Sequence, residues 1–190
     1  MKTHIAGSLL ALSTTLLSAN TYAADFNYNA IQVSYDDISL DFPGVPSLDG
    51  DGFSFAGALE ITPDVYIKGN IGMWDVDFGI DIDQLEIGAG YHMPLNQKTD
   101  GVFEFSMGNL EIGSLDVDTW TLSAGARHQL DNKLELGGTI GLTDYDGDET
   151  EIFLSFNALY SLQKDVAGIF EFTTEDNITS LSFGARFYFK

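Results

Sequence analysis

The feature that most limits what this chain can fold into is a two-residue alternation that recurs from about residue 27 to the end. A period of two places successive side chains on opposite faces of a strand, and no helix reads that way. In LELGGTIGL, Leu134, Leu136, Ile140 and Leu142 share one face, while Glu135, Gly137, Thr139 and Gly141 share the other. TWTLSAGARHQL repeats the pattern, with Trp120, Leu122, Ala124 and Ala126 set against Thr121, Ser123, Gly125 and Arg127.

The second face chooses the architecture. A soluble barrel or sandwich turns its apolar face inward and shows charge to water, whereas a membrane barrel shows that face to lipid and fills its lumen with small and polar groups. Here the second face carries Gly88, Gly90, Ser123, Gly125, Gly137, Thr139, Gly141, Ser155, Asn157, Ser161, Ser182 and Gly184, and mid-strand charge is nearly absent. Small groups are what a narrow closed barrel can hold inside. The expected fold is therefore all-β: a closed antiparallel transmembrane up-and-down β-barrel. A soluble exported β-barrel is the alternative.

Two kinds of breaker divide the strands. Short turns occur at TPD (62–64), PLNQKTD (94–100), LDNK (130–133) and LQKD (162–165), and acidic connections lie near 36–51, 75–84, 111–118, 144–151 and 174–178. Four turns and five acidic loops join ten strands, expected near 27–35, 52–61, 65–74, 85–93, 101–110, 118–129, 134–143, 151–161, 166–174 and 179–189, with eight strands as the alternative. Spans of that length match the ~9–11 residues of a tilted transmembrane strand. Residues 1–23, with Lys2, the uncharged IAGSLLALSTTLLSA and the small residue Ala23, are expected to be a secretory signal, leaving 24–190 as the barrel. Without cysteine there is no disulfide, thiolate nucleophile or Cys-ligated metal, and a net charge of −21 argues against a nucleic-acid partner.

The chain ends SFGARFYFK, in which Ser182, Gly184, Phe187 and Phe189 stand at a recurrent spacing of polar residue, glycine and two alternating aromatics. In this it resembles the small outer-membrane β-barrel proteins of Gram-negative bacteria, the group that includes OmpA-type and OmpX-type barrels, although Lys190 trails the aromatic on which most members end. The resemblance implies that Ser182, Gly184, Phe187 and Phe189 form an assembly signal read by the barrel-insertion machinery. It also implies that the last strand closes on the first, with Phe183, Phe187 and Phe189 toward lipid. Outer-membrane lipid and lipopolysaccharide are then the expected surroundings, reached by export to the periplasm, and a monomer is the expected state.

Parity puts Glu60, Lys68, Glu104, Arg127, Glu135, Glu171 and Arg186 on the inward face, mostly close to the short turns. Buried charges must pair, so this cluster is expected to plug the barrel with salt bridges, as OmpA-type resemblance also implies. A charge-lined constriction of a narrow porin-like channel is the alternative. The acidic connections are expected outside the cell, since small barrels keep their short turns periplasmic. They read as a hydrated surface, or else as weak calcium ligands in Asp144, Asp146, Asp148, Glu149 and Glu151, which offer hard oxygens but do not match an EF-hand loop. No other cofactor is implied.

An enzyme is not expected. After the signal only His92 and His128 remain, both beside short turns, whereas ten-stranded outer-membrane proteases need a histidine at the opposite rim. A serine hydrolase needs one within reach of its serine, and Ser106 and Ser123 approach His92 or His128 only across several residues of strand. The role expected is therefore structural or surface-interactive.

Overall fold

A computed structural model describes residues 26–41, 44, 46–146 and 149–190. The expected signal at 1–23 and Asp148 lie outside the described residues, as does the side chain of Glu149. The alternating segments form ten strands: β1 (Ala30–Leu40), β2 (Leu48–Thr62), β3 (Val65–Val76), β4 (Ile80–Asn96), β5 (Thr99–Ile112), β6 (Leu115–Gln129), β7 (Leu134–Tyr145), β8 (Glu149–Gln163), β9 (Val166–Glu175) and β10 (Ile178–Tyr188). Each pairs antiparallel with the next, and β10 closes on β1 from Ala30↔Tyr188 to Leu40↔Ile178. Closure leaves no unpaired strand edge. The up-and-down barrel of ten strands is thus the one the alternation demands, and the eight-stranded alternative is set aside.

The acidic connections are a correction. Most of the expected loop residues belong to strands: β4 begins at Ile80 and runs 17 residues, β2 begins at Leu48 and β6 at Leu115. What remains between β3 and β4 is a 3-10 turn at Asp77–Gly79, with Phe78 and Gly79 both at positive φ. In IDID (80–83) the aspartates alternate with isoleucines, so charge that reads as loop is one face of a continuing strand.

The faces then exchange roles along the barrel. Around its middle the outside is an apolar belt that includes Val33, Phe55, Ile71, Ile87, Phe105, Leu122, Ile140, Phe156, Phe170 and Phe183, all exposed. Such a surface is stable against hydrocarbon and would be an aggregation liability in water. Toward the long-strand end the outward positions become Asp37, Asp51, Asp75, Asp81, Asp83 and Glu111. The inward positions there become Ile38, Leu40, Val76 and Ile82, packed with Leu48, Trp74, Ile80, Leu110, Ile112 and Ile178. Beyond the belt the wall is therefore organised like a water-soluble barrel, apolar inside and charged outside. The exchange is strongest on β1–β5; the facing wall of β7 to β9 presents Thr143, Tyr145, Thr173 and Glu175 to the lumen.

At the opposite end the turns are tight and self-capped. Asp131 accepts from the backbone N–H of Lys133 (2.7 Å) and Leu134 (2.9 Å). Those two donors hold its carboxyl below the usual carboxylate range. At the closing seam Gly184 faces Ser34, and a Cβ there would lie 2.1 Å from the Val33 carbonyl oxygen. Glycine is what lets β10 approach β1, so the Gly184 of the expected assembly signal has a packing role in the finished wall.

Candidate functional site

A cavity of about 750 Å³ runs along the lumen, from Asn27 and Tyr28 at the short-turn end to Leu40, Leu48, Ile112 and Ile178 at the other. Three zones follow one another along it.

The first is a stopper built by residues ahead of β1. Phe26, Tyr28 and Ala30 keep β1's inward parity, and Phe26 and Tyr28 are buried against Tyr66, Ala58 and Val102. Tyr28 stacks on Tyr66 (centroids 4.8 Å) and on His92 (4.0 Å), and its hydroxyl donates to Asp100 Oδ2 at 3.2 Å. Arg127 covers both rings, its Cζ 4.9 Å from the Phe26 centroid and 4.5 Å from that of Tyr28. The segment is pinned from outside the stack as well. Asn29 exchanges two bonds with Glu60 (Nδ2 to Oε2, 2.9 Å; Glu60 N–H to Oδ1, 2.8 Å), and the Phe189 N–H donates to the Asn29 carbonyl at 3.0 Å.

The second zone holds the ion pairs. Arg127 donates from Nε and Nη2 to the two oxygens of Glu135 at 2.7 and 3.1 Å, a fork that guanidinium and carboxylate geometry favour. Lys68 Nζ lies 3.0 Å from Glu104 and 3.5 Å from Glu86, and the Tyr66 hydroxyl donates to Glu104 at 2.6 Å. Arg186 donates from Nε and Nη2 to Gln32 Oε1 at 3.0 and 2.7 Å. Of the seven charged residues expected inside, then, Lys68 meets Glu104 and Arg127 meets Glu135. Glu60 turns instead to Asn29 and lies 3.7 Å from His92 Nε2, beyond hydrogen-bond reach. Arg186 takes an amide, and Glu171 lines the cavity without a salt bridge to a described residue.

The third zone joins charge to the apolar collar. Asp36 is 3 % exposed, and its Oδ2 accepts from Trp74 Nε1 at 3.0 Å, while Oδ1 has no hydrogen-bond partner in the protein. The indole reaches Asp36 by lying flat on glycine: a Cβ at Gly52 would sit 2.7 Å from Trp74 Cδ1, and one at Gly72 2.0 Å from Cη2. The register puts Asp36 opposite Ser182 and Ser182 opposite Glu171, so two cavity carboxylates flank one serine across three strands.

Sequence reasoning missed Phe26, Tyr28, Asp36, Trp74, Glu86 and Asp100 as lumen residues. The signal was parity carried further: Phe26 and Tyr28 continue the inward set of β1, Glu86 shares the inward parity of Gly88 and Gly90 in the strand expected at 85–93, and Asp36 fell within a segment read as acidic loop. The described members of the calcium set, Asp144, Asp146 and Glu151, are divided by the wall. Register pairs Thr143 with Glu151 and Asp144 with Thr150, so Glu151 shares the lumenal face of Thr143 and Asp144 faces out, accepting from the Thr150 hydroxyl at 2.9 Å. Asp146, exposed at positive φ, sits at the turn beside it. No group of three or more His, Asp or Glu among the described residues is arranged to hold a metal ion. His92 bonds Asp100 at 3.2 Å and His128 meets Thr99 Oγ1 at 2.9 Å; among the described hydrogen bonds neither histidine reaches a serine.

No protein-family model matches the chain, and no curated protein matches it. Solved structures do. It is similar to the COG4313 outer membrane channel from Pseudomonas putida F1, at 10% identity and a TM-score of 0.55, over 91% of this chain and 100% of that one. It is also similar to the KdgM porin in complex with disordered oligogalacturonate (8% identity, TM-score 0.49, 85% and 99% covered) and to the NanC porin (7%, 0.45, 85% and 99%). At 10% identity the likeness to the COG4313 channel shows the fold alone, a closed outer-membrane β-barrel, and nothing in it singles out OmpA-type or OmpX-type barrels.

Proposed function

We propose that this chain is a non-enzymatic outer-membrane barrel of the narrow, porin-like kind, with its short turns toward the periplasm and its lumen held shut by the segment ahead of β1. The observation that carries the reading is the stopper. Phe26 and Tyr28 close the cavity from ahead of the ten-stranded wall, and they are held by stacking, cation–π contact and the Tyr28–Asp100 hydrogen bond rather than by a strand ladder. Contacts of that kind are worth about 0.5–2 kcal/mol each, small enough for the segment to leave while the barrel stays closed on itself. The apolar collar at the other end is a second restriction, of the sort that blocks ions by dewetting. Gram-negative localisation accords with the apolar belt and with the channel fold.

The test is conductance in planar bilayers. The wild type is expected to show rare, small openings, and Phe26→Ala/Tyr28→Ala to show frequent, larger unitary steps at unchanged heat-modifiable migration. A folded double variant that conducts no more than the wild type would refute the channel and leave a barrel of structural or surface role, as the salt-bridged lumen by itself would suggest.

A further inference from the structure

We infer that the lumen holds a binding site for a small amphipathic cation, whose charged head sits against Asp36 and Glu171 and whose apolar body lies in the collar; as a substrate class this rests on the channel reading above, although the site does not require conduction. The argument starts from Asp36. A carboxylate oxygen buried without a partner is costly, and Oδ1 is in that condition while the other oxygen is fixed by Trp74. Asp36 lines the cavity, so a ligand there can supply what the wall does not.

Charge selects the sign of the ligand. The cavity is lined by five carboxylates (Asp36, Glu86, Glu104, Glu171, Glu175) against three cations (Lys68, Arg127, Arg186). Lys68 is already shared by two of those carboxylates, and Arg127 is matched by Glu135. An anion brought to Asp36 would meet like charge in a poorly hydrated place, and a neutral apolar molecule would leave Oδ1 as it was. A strongly hydrated metal ion is disfavoured by the other wall of the site. Immediately beyond Asp36 on the same face come Ile38 and Leu40, with Trp74, Val76 and Ile82 beside them, which offer no oxygen ligands. Asp36 and Leu40 are four residues apart, about 13 Å of strand, so one molecule with its head at the carboxylate carries a short alkyl or aryl body through the collar.

The chain provides its own reporter. It has two tryptophans; Trp120 faces outward in the belt and Trp74 touches Asp36. Trp120→Phe barrel in phosphatidylcholine nanodiscs, titrated with hexylammonium, whose N–H groups can donate to Oδ1, is expected to give a saturable change in Trp74 emission, absent from empty nanodiscs. Hexanesulfonate and hexanol are expected to bind at least about ten-fold more weakly, and Asp36→Asn to weaken the cation by about ten-fold, the scale of one hydrogen bond or contact to a charged group. Glu171→Gln, which touches no tryptophan bond, is expected to weaken it severalfold and decides the matter if Asp36→Asn does not fold. Equal response to cation and anion, no saturable response, or unchanged affinity in a folded carboxylate variant overturns the site. Binding in a barrel whose stopper variant conducts no more than the wild type supports the site while refuting the channel; conduction without binding does the reverse.

Discussion

Removing the Glu135 carboxylate should reveal how much the lumenal ion pairs hold the barrel together. Glu135→Ala deletes two charge-assisted hydrogen bonds, at 2.7 and 3.1 Å, and leaves the Arg127 guanidinium under two aromatic faces that cannot accept its N–H groups as a carboxylate does. Hydrogen bonds to charged groups contribute about 1.5–3 kcal/mol each, and withdrawing one partner from a buried pair costs about 3–5 kcal/mol because the survivor stays dry and uncompensated. The two side chains are only 14% and 11% exposed, so solvent relieves little of this. A loss of about 3–4 kcal/mol is expected, read from guanidinium unfolding of the vesicle-inserted barrel by tryptophan emission. Arg127→Ala/Glu135→Ala should lose less than the sum of the single variants, by about 1–3 kcal/mol, because deleting the guanidinium removes the stranded charge. A Glu135→Ala barrel within about 0.5 kcal/mol of the wild type, or strict additivity in the cycle, would refute the claim that this pair is dry and coupled.

The seam and the turns give two further tests. Gly184→Ala should impair assembly and lower the temperature of heat-modified migration, by overpacking worth about 1–3 kcal/mol, since its Cβ would lie 2.1 Å from the Val33 oxygen. Gly168→Ala, whose Cβ would meet nothing nearer than Leu162 Cδ1 at 3.9 Å, is the control expected to behave as wild type. At the 130–133 turn, the bonds from Lys133 and Leu134 lower the folded-state pKa of Asp131, so this carboxylate favours the folded turn above the usual carboxylate range and loses that contribution as pH falls through its depressed value. Amide exchange at Lys133 and Leu134 should therefore quicken in acid relative to Asp131→Asn at the same pH, and equal acid sensitivity in both proteins would contradict it.

The sequence by itself determined the wall. Period-two alternation with Gly, Ser and Thr opposite Leu, Ile and Phe is a local property: each residue's face follows from its neighbour's, so ten strands and an inward set containing Ser123, Gly125, Thr139 and Ser155 could be read without any long-range contact. Where strands end was less legible, because charge is ambiguous until something fixes which face it occupies. Asp81 and Asp83 resemble loop residues, yet they cover the outside of a strand that has left the apolar belt, while Ile80 and Ile82 turn inward. The contents of the lumen were decided by tertiary structure alone. Parity states that Asp36, Arg127 and Tyr28 point inward, but it does not state that barrel closure carries Asp36 to Trp74, 38 residues away, or folds Phe26 and Tyr28 beneath Arg127. Those meetings depend on strand number and register around the whole circle. The same residues at another diameter would face different neighbours.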